Sequence, residues 1–368
     1  QQWHLRIEVR SPTGRTGLLS ALPLPAPLHL LPSFVRYPHL TWQEKVRAIP
    51  ALLRVHRERD PDRPELRRQS FQEWLRRQGQ SARAVANFWD LITIPSLNDA
   101  SDDVAASMGI RLFQEALLWN AHGADVGYAR AGLSEIMGAA IERRLRDLGA
   151  RVLLGRSVQG LEIEEGKAAG VTLAGGETLH ADWYVSALPP GALMAALPGH
   201  WREQPFFAPA AAHTWSPIVN LHVWYDRPIG SFDFLAFVDS PVQWVFNRTR
   251  IAGLQGPGQY ITVSLSGAWE FWPLTKEDLR GRFIPELARL FPAARDAAVE
   301  RFVVVKEQHA TFRSLPNGPP NRLPTSTPIE RLFLAGDWTD TGWPATMEGA
   351  VRSGEAAARA IVETGHSA

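Results

Sequence analysis

The chain has 368 residues, 45% of them hydrophobic and 21% charged, with a formal net charge of +1 and no cysteine. That balance excludes a disordered or fibrous chain and leaves length for more than one core. Near-neutral charge gives no field to draw in nucleic acid, and the lack of cysteine excludes disulfides and thiolate metal sites.

Residues 5–9 alternate and read as a strand, closed by a turn at Ser11-Pro12-Thr13-Gly14. From residue 18 to 35 the chain is almost continuously apolar, but Pro23, Pro25, Pro27 and Pro32 argue against a membrane span, because they leave backbone groups unpaired. Two readings remain, an extended segment lining a pocket and an apolar lip that dips into a bilayer surface. Thr41 with Glu44, and Ser70 with Glu73, have capping-box spacing for two helices, and Pro50 is expected to kink or divide the first. Eight arginines between Arg54 and Arg77 are interleaved with five acids, the composition of a solvated helical face; contact with anionic headgroups is the sharper alternative. Helices are expected at 82–91 and 104–119, with Asn98 in a turn between them.

An amphipathic helix is expected over 132–149, with Leu133, Ile136, Met137, Ala140, Ile141 and Leu145 on its apolar face and Gly149 ending it. Residues 151–154 read as a strand, 158–164 and 169–173 as a hairpin about Gly166, and 182–187 as one more strand ending at Pro189-Pro190. Strict alternation over 216–226 puts Ile218, Asn220, His222 and Trp224 on one face and Val219, Leu221, Val223 and Tyr225 on the other. Strands at 234–238, 242–246 and 260–266 join it in an antiparallel sheet. A helix follows at 275–291, then a strand at 300–312 whose Val303-Val304-Val305 run suits a buried edge near the carboxyl-terminal elements. No Ser-His-Asp set, metal-ligand spacing or P-loop is present, and His122, His222 and His309 read as structural or exposed.

The last stretch organises the rest. Arg331-Leu332-Phe333-Leu334 is a short buried strand, and Ala335-Gly336 at its end lets a backbone approach a ligand closely. Asp337 then offers a carboxylate at the carboxyl end of that strand, where ligands of open α/β sheets sit. After Gly342-Trp343-Pro344, the recurring small residues Ala345, Gly349, Ala350, Ser353 and Gly354 mark a helix that packs closely. Its first amides, around Thr346 and Met347, are free donors at the positive dipole end.

This run, Gly336-Asp337-Trp338-Thr339-Asp340-Thr341-Gly342-Trp343-Pro344-Ala345-Thr346-Met347-Glu348-Gly349-Ala350-Val351-Arg352-Ser353-Gly354, resembles the carboxyl-terminal flavin motif of the amine oxidase and phytoene desaturase superfamily. In detail it is similar to the squalene-associated FAD-dependent desaturases, whose better-defined members are hydroxysqualene dehydroxylases. Amine oxidases usually carry Glu at the position of Asp337, so the desaturase branch is favoured. The resemblance implies an α/β flavoprotein of Rossmann-like type with an α+β substrate part and both domains discontinuous. The substrate domain would hold residues 1–130 and 198–298, and the FAD-binding domain 131–197 and 299–368. It implies FAD contacts at Gly336, Asp337, Trp343, Ala345, Thr346 and Met347. The segment from Val158 to Pro189 is similar to the middle of the family's FAD domain, which would put the Val158 backbone at the adenine and Ala187 near the pyrophosphate.

By the same resemblance the substrate is a long isoprenoid, and the reaction most favoured is conversion of hydroxysqualene to squalene for hopanoid synthesis. Carotenoid desaturation, amine oxidation and a non-catalytic flavin- or lipid-binding role stay open. The location implied is cytoplasmic, peripheral on the inner face of the cell membrane; no nucleic-acid partner is expected, and the residues identify neither the proton donor nor the oligomeric state. Flavoproteins of this type open with a strand, a Gly-rich turn and a ribose-binding acid, and no such turn follows an early strand here. The expectation is an amino-terminally truncated piece lacking the first ADP-binding βαβ unit, which would hold FAD weakly on its own.

Overall fold

The computed structural model describes residues 4–318 and 322–366. Its strands, in chain order, are β1 (Arg6–Arg10), β2 (Thr16–Ser20), β3 (Val158–Glu164), β4 (Lys167–Leu173), β5 (Thr178–Leu179), β6 (Tyr184–Ser186), β7 (Trp215–Tyr225), β8 (Phe234–Phe237), β9 (Trp244–Asn247), β10 (Gln259–Leu265), β11 (Val299–Phe312) and β12 (Leu332–Leu334). The chain divides into two compact units, one of Gln1–Gly138 with Trp215–Asn317 and one of Ala139–Thr214 with Gly318–Ala368. Mixed α/β structure, with each unit visited twice, agrees with the fold class expected from the sequence.

The first unit is built on a seven-stranded sheet in the order β11-β7-β10-β9-β8-β1-β2. β7 shows why. Its alternation puts Val219, Leu221, Val223 and Tyr225 in a closed core, where they meet Ile261, Val263 and Leu265 of β10 and Leu279, Phe283 and Leu287 of the helix Lys276–Leu290. The other face of β7, with Ile218, Asn220, His222 and Trp224, is only half-buried. A second core gathers Phe71, Phe88, Trp89 and Phe113, with the Trp89 and Phe113 ring centroids 4.7 Å apart. The Trp89 indole N–H, buried there, donates to Gln80 Oε1 at 3.1 Å, since burial leaves it no water. Both expected capping boxes form, on helices Trp42–Arg57 and Phe71–Arg77, and a third forms at Thr275 and Asp278.

Buried polar groups tie the ends of this sheet together. Asn98 sits in the left-handed region with φ 57°, ends the helix Asp90–Leu97, and donates through Nδ2 to Ser216 O and Thr311 Oγ1, both at 3.0 Å. Its side-chain oxygen accepts from the Gly267 amide at 2.7 Å. Asp99, 1% exposed, accepts from Arg313 Nε at 2.8 Å and from Trp269 Nε1 at 3.1 Å.

The second unit carries a three-stranded sheet, β3-β4-β5, and a parallel pair, β12-β6. The hairpin turns at Gly166, as expected, and the Glu330 carbonyl accepts from the Ala168 amide, linking β4 to the segment before β12. The helix Met347–His366 lays Ala357 against Phe333 and Ala335.

Four local expectations change. Pro50 does not divide its helix into two elements; the helix runs from Trp42 to Arg57, so tertiary packing of Ala48, Ala51 and Val55 outweighs one missing amide. Residues 151–154 form no strand; they are largely exposed, and among the described residues no strand pairs with them. The amphipathic helix forms as Ser134–Ala139 followed by Ala140–Asp147, but Leu133, Ile136, Ile141 and Leu145 remain exposed rather than joining a core. Finally, β11 does not edge the carboxyl-terminal elements: it pairs antiparallel with β7, Val303 opposite His222 and Val305 opposite Asn220. Nor is the run buried: Val305 is exposed and Val303 and Val304 are only half-buried.

Candidate functional site

Two regions carry the features expected of a site, one in each unit. In the second unit β12 and β6 run parallel, with Leu334 opposite Ser186, so both chains leave the pair at the same edge. From that edge Ala335, Gly336 and Asp337 follow β12, while Ala187 and Leu188 follow β6. Ser186 is buried there, and its Oγ has no hydrogen-bond partner among the described residues.

The loop after β12 is held tightly. Gly336 has φ 124°, and a Cβ on it would lie 2.6 Å from Trp338 Nε1, so only glycine fits. The Gly336 amide donates to Ser353 Oγ at 2.7 Å, and Thr339 Oγ1 donates to the Gly336 carbonyl at 2.8 Å. Trp338 is buried and donates its indole N–H to Leu188 O at 3.1 Å, which joins the loop after β12 to the loop after β6. Arg322 Nη1 donates to the carbonyls of Asp337 at 3.2 Å and Trp343 at 2.6 Å, fixing both ends of the loop. The Trp343 ring in turn lies under Arg352, with the guanidinium 4.3 Å from its centroid.

The carboxyl of Asp337 is half-buried, and burial pushes its pKa up; the Trp338 amide and the Arg322 charge pull the other way. His213, packed edge-on to Trp338, is pushed down to about 4 by burial and by Arg322, so its imidazole is neutral at physiological pH. The helix Met347–His366 opens beside Asp337: Gly349 is buried, and a Cβ there would come within 2.9 Å of Pro344 O and 3.6 Å of Asp337 Cβ. Thr346 Oγ1 accepts from the Gly349 amide at 3.1 Å.

Of the sequence-predicted site residues, Gly336, Asp337, Trp343, Ala345, Thr346 and Met347 therefore share one loop and helix start, and Ala187 leaves the neighbouring strand. Val158 stands apart from this cluster in sequence, at the first position of β3, exposed and paired with Leu173. Sequence reasoning missed Arg322, Ser186, Ser353 and His213. Only Ser353 lay inside the motif; the other three have no local pattern and acquire their places through the fold.

The first unit holds a cavity of about 560 Å³ lined almost wholly by apolar side chains, among them Leu5, Phe34, Phe88, Trp244 and Phe246. Ser33, His56, Ser96, Asp125, Ser264 and Ser266 are the polar exceptions in its wall. Leu28, Leu31, Ile49 and Leu53 line it and are also exposed, so the cavity opens to the surface between them. Leu22, Leu24, Val35, Trp42 and Val46 extend the exposed apolar surface around that opening. Among the described residues no helix is long and apolar enough to cross a membrane. Arg63, Arg67 and Arg111, from the basic region and beyond it, pair with Glu58 and Asp62. His4, His122 and Asp125 bring potential ligand atoms within 4.8 Å of one another, a grouping that sequence spacing did not reveal; His122 Nδ1 lies 3.1 Å from Asp125.

The chain is 29% identical to 15-cis-phytoene desaturase of Glycine max over 351 residues, 92% of this chain and 61% of the relative. It is 26% identical to the 15-cis-phytoene desaturase of Synechococcus elongatus, covering 71% of that protein. It is 28% identical to hydroxysqualene dehydroxylase of Rhodopseudomonas palustris over 300 residues, 78% of this chain and 66% of the relative. The chain thus spans about three-fifths of the length of the plant relatives it matches. In fold it is similar to putrescine oxidase, with a TM-score of 0.68 at 15% identity, covering 99% of this chain and 82% of that one. An oxidoreductase from Methanosarcina mazei gives 0.68 at 17% identity, covering 96% and 80%. The model of the flavin-containing amine oxidoreductases matches residues 7–362, and the chain belongs to that family, whose cofactor is FAD.

Proposed function

We propose that this chain is the body of an FAD-dependent oxidoreductase acting on a long isoprenoid, and that its reaction is the reductive dehydroxylation of hydroxysqualene to squalene. The observation that carries the isoprenoid reading is the cavity of about 560 Å³, which lies in the usual range for small-molecule sites and is lined mainly by apolar side chains. The run from Gly336 to Gly354 supports the dehydroxylase branch.

The residues at the β12–β6 edge fit FAD. Ser186 presents a buried hydroxyl without a partner among the described residues, Gly336 removes the side chain that would block close approach, and Asp337 offers an acceptor for ribityl hydroxyls. Thr346 and Met347 would present the helix start to the flavin ring, where the positive dipole end favours developing negative charge. Ala345 and Trp343 would border the ring, Ala187 the pyrophosphate, and the Val158 backbone the adenine. Bound FAD supplies the hydride chemistry. The chain's own part is to exclude water from the reacting carbon, to hold the apolar chain, and to supply the proton with which the hydroxyl leaves as water. Given hydroxysqualene and a flavin reductant without oxygen, the flavin-loaded enzyme should form squalene, read by gas chromatography with mass detection. An enzyme with full flavin occupancy that yields none would overturn the dehydroxylase reading.

A second reading, desaturation of phytoene, is supported by the plant and cyanobacterial phytoene desaturases among the relatives. It predicts a polyene absorbance from added phytoene in the presence of an electron acceptor.

Uptake of so apolar a substrate from water is slow, and the exposed rim gives a route: Leu28, Leu31 and Trp42 would insert into one leaflet and place the cavity mouth against lipid. The protein should therefore float with liposomes. Leu28→Asp with Leu31→Asp should move most of it to the soluble fraction, since both side chains are exposed and their loss leaves the core intact. Equal distribution of wild type and double variant would refute lipid docking through this rim.

A further inference from the structure

No residue of β7 lines the cavity, but its half-buried face adjoins β10, whose Ser264 does. Trp244 and Phe246 of β9 line the cavity, as does Ser264 of β10. In the sheet register Thr262 lies opposite Phe246 on one side and His222 on the other, and Ser264 lies between Trp244 and Asn220. His222 is therefore one strand beyond the cavity wall, on the same face, with aromatic neighbours. Its Nδ1 is 2.7 Å from the Tyr260 hydroxyl and 3.3 Å from Thr262 Oγ1. The Tyr260 ring is itself locked, stacked on Trp224 at 4.2 Å with an interplanar angle of 5°, and Arg301 of β11 covers Trp224 at 4.8 Å. Both hydroxyls engage Nδ1, so Nε2 is the nitrogen left to meet a ligand.

We propose that His222, oriented by Tyr260, contacts the substrate hydroxyl through Nε2 and gives it the proton with which it leaves. This rests on the dehydroxylase reading above. In the step, the carbon–oxygen bond breaks with its electron pair on oxygen, the Nε2 proton joins that oxygen, and water departs. The carbon then takes a hydride from the reductant the reaction already uses, and His222 regains its proton from solvent. A hydroxyl on an otherwise hydrocarbon chain is expensive to bury unpaired, and His222 offers it a partner one strand beyond the polar residues of the lining.

The groups facing His222 are Tyr260 and Thr262 from β10 and Val303 from β11, with Arg248 as the nearby charge. Burial and Arg248 lower its pKa, which makes the protonated ring a stronger acid. Activity should then be present at low pH and fall as pH rises through that lowered pKa.

Two substitutions separate the roles. His222→Gln keeps a hydrogen-bonding amide but cannot titrate; kcat should fall about 100-fold or more, KM should stay within about threefold, and the pH limb should vanish. His222→Leu should abolish selective binding of an alcohol, tested with farnesol against the matching hydrocarbon by tryptophan fluorescence. Wild type should favour farnesol about five- to tenfold, and the leucine variant should not. If squalene forms and His222→Gln retains kcat and the pH limb, this assignment is overturned while the reaction stands. If no squalene forms but the farnesol preference is present and lost in His222→Leu, the reaction falls and the contact stands. Absence of any preference in wild type, or its survival in His222→Leu, overturns the contact.

Discussion

Asp99→Ala should lower the unfolding free energy by about 3 kcal/mol, the lower end of the range for removing one partner of a buried ion pair. Asp99 is 1% exposed and the Arg313 side chain 16%, so water can replace little of what is lost. Removing the carboxylate strips Arg313 Nε and Trp269 Nε1 of their acceptor together. The guanidinium keeps Asp103 at 2.7 Å and its place 4.7 Å over the Trp269 ring, which is why the upper end of the range is not expected. Urea unfolding would read the change. Combining Asp99→Ala with Arg313→Met should cost less than the sum of the two single changes, because neither partner is left buried without the other and Asp103, half exposed, meets water. Strict additivity would show that the pair does not act as one unit.

That buried pair shows where sequence reasoning ends. Local features were legible: Thr41–Glu44 and Ser70–Glu73 cap the expected helices because a capping box needs only residues three apart. The β7 alternation was legible for the same reason: it separated His222 from the face of Val219, Leu221 and Val223, though not which of the two faces would be closed. Asn98 could be read as a turn, but not that its amide would bridge Ser216, Thr311 and Gly267, since those contacts span more than a hundred residues of chain.

β11 was attached to the wrong neighbours because Val303-Val304-Val305 fits a strand in any sheet, and only the hydrogen-bonded register with β7 distinguishes them. The helix from Ser134 to Asp147 shows the converse case: the periodicity was right, yet its apolar residues are exposed. At the candidate flavin site the motif supplied Gly336, Asp337 and the helix start because they are contiguous. Arg322, which grips the loop at two carbonyls, stands fifteen residues from Asp337 and belongs to no local pattern. The shape of the cavity was not legible, since its walls come from segments as far apart as Leu5 and Ser266.

Asp337→Ala is expected to weaken FAD binding about tenfold to a hundredfold, the equivalent of roughly 1.5–3 kcal/mol for a hydrogen bond to a charged group. Asp337 follows β12 directly, with its backbone held by Arg322 and its Cβ against Gly349, so the side chain has little freedom and its removal should not move the loop. Asp337→Asn retains an acceptor of the same shape without the charge and should lose less than alanine. The pH dependence gives an independent check. Burial raises the Asp337 pKa above that of an ordinary aspartate. The carboxylate form accepts hydrogen bonds and the protonated form gives part of that up. FAD affinity in the wild type should thus fall as pH is lowered, beginning above the range where a solvated aspartate titrates. The asparagine variant should lack this decline, because its amide does not ionise there. Fluorescence titration of apoprotein with FAD across that pH range reads both effects. Equal affinities for wild type and Asp337→Ala would mean that the carboxylate does not touch the cofactor and that the loop serves only to shape the fold.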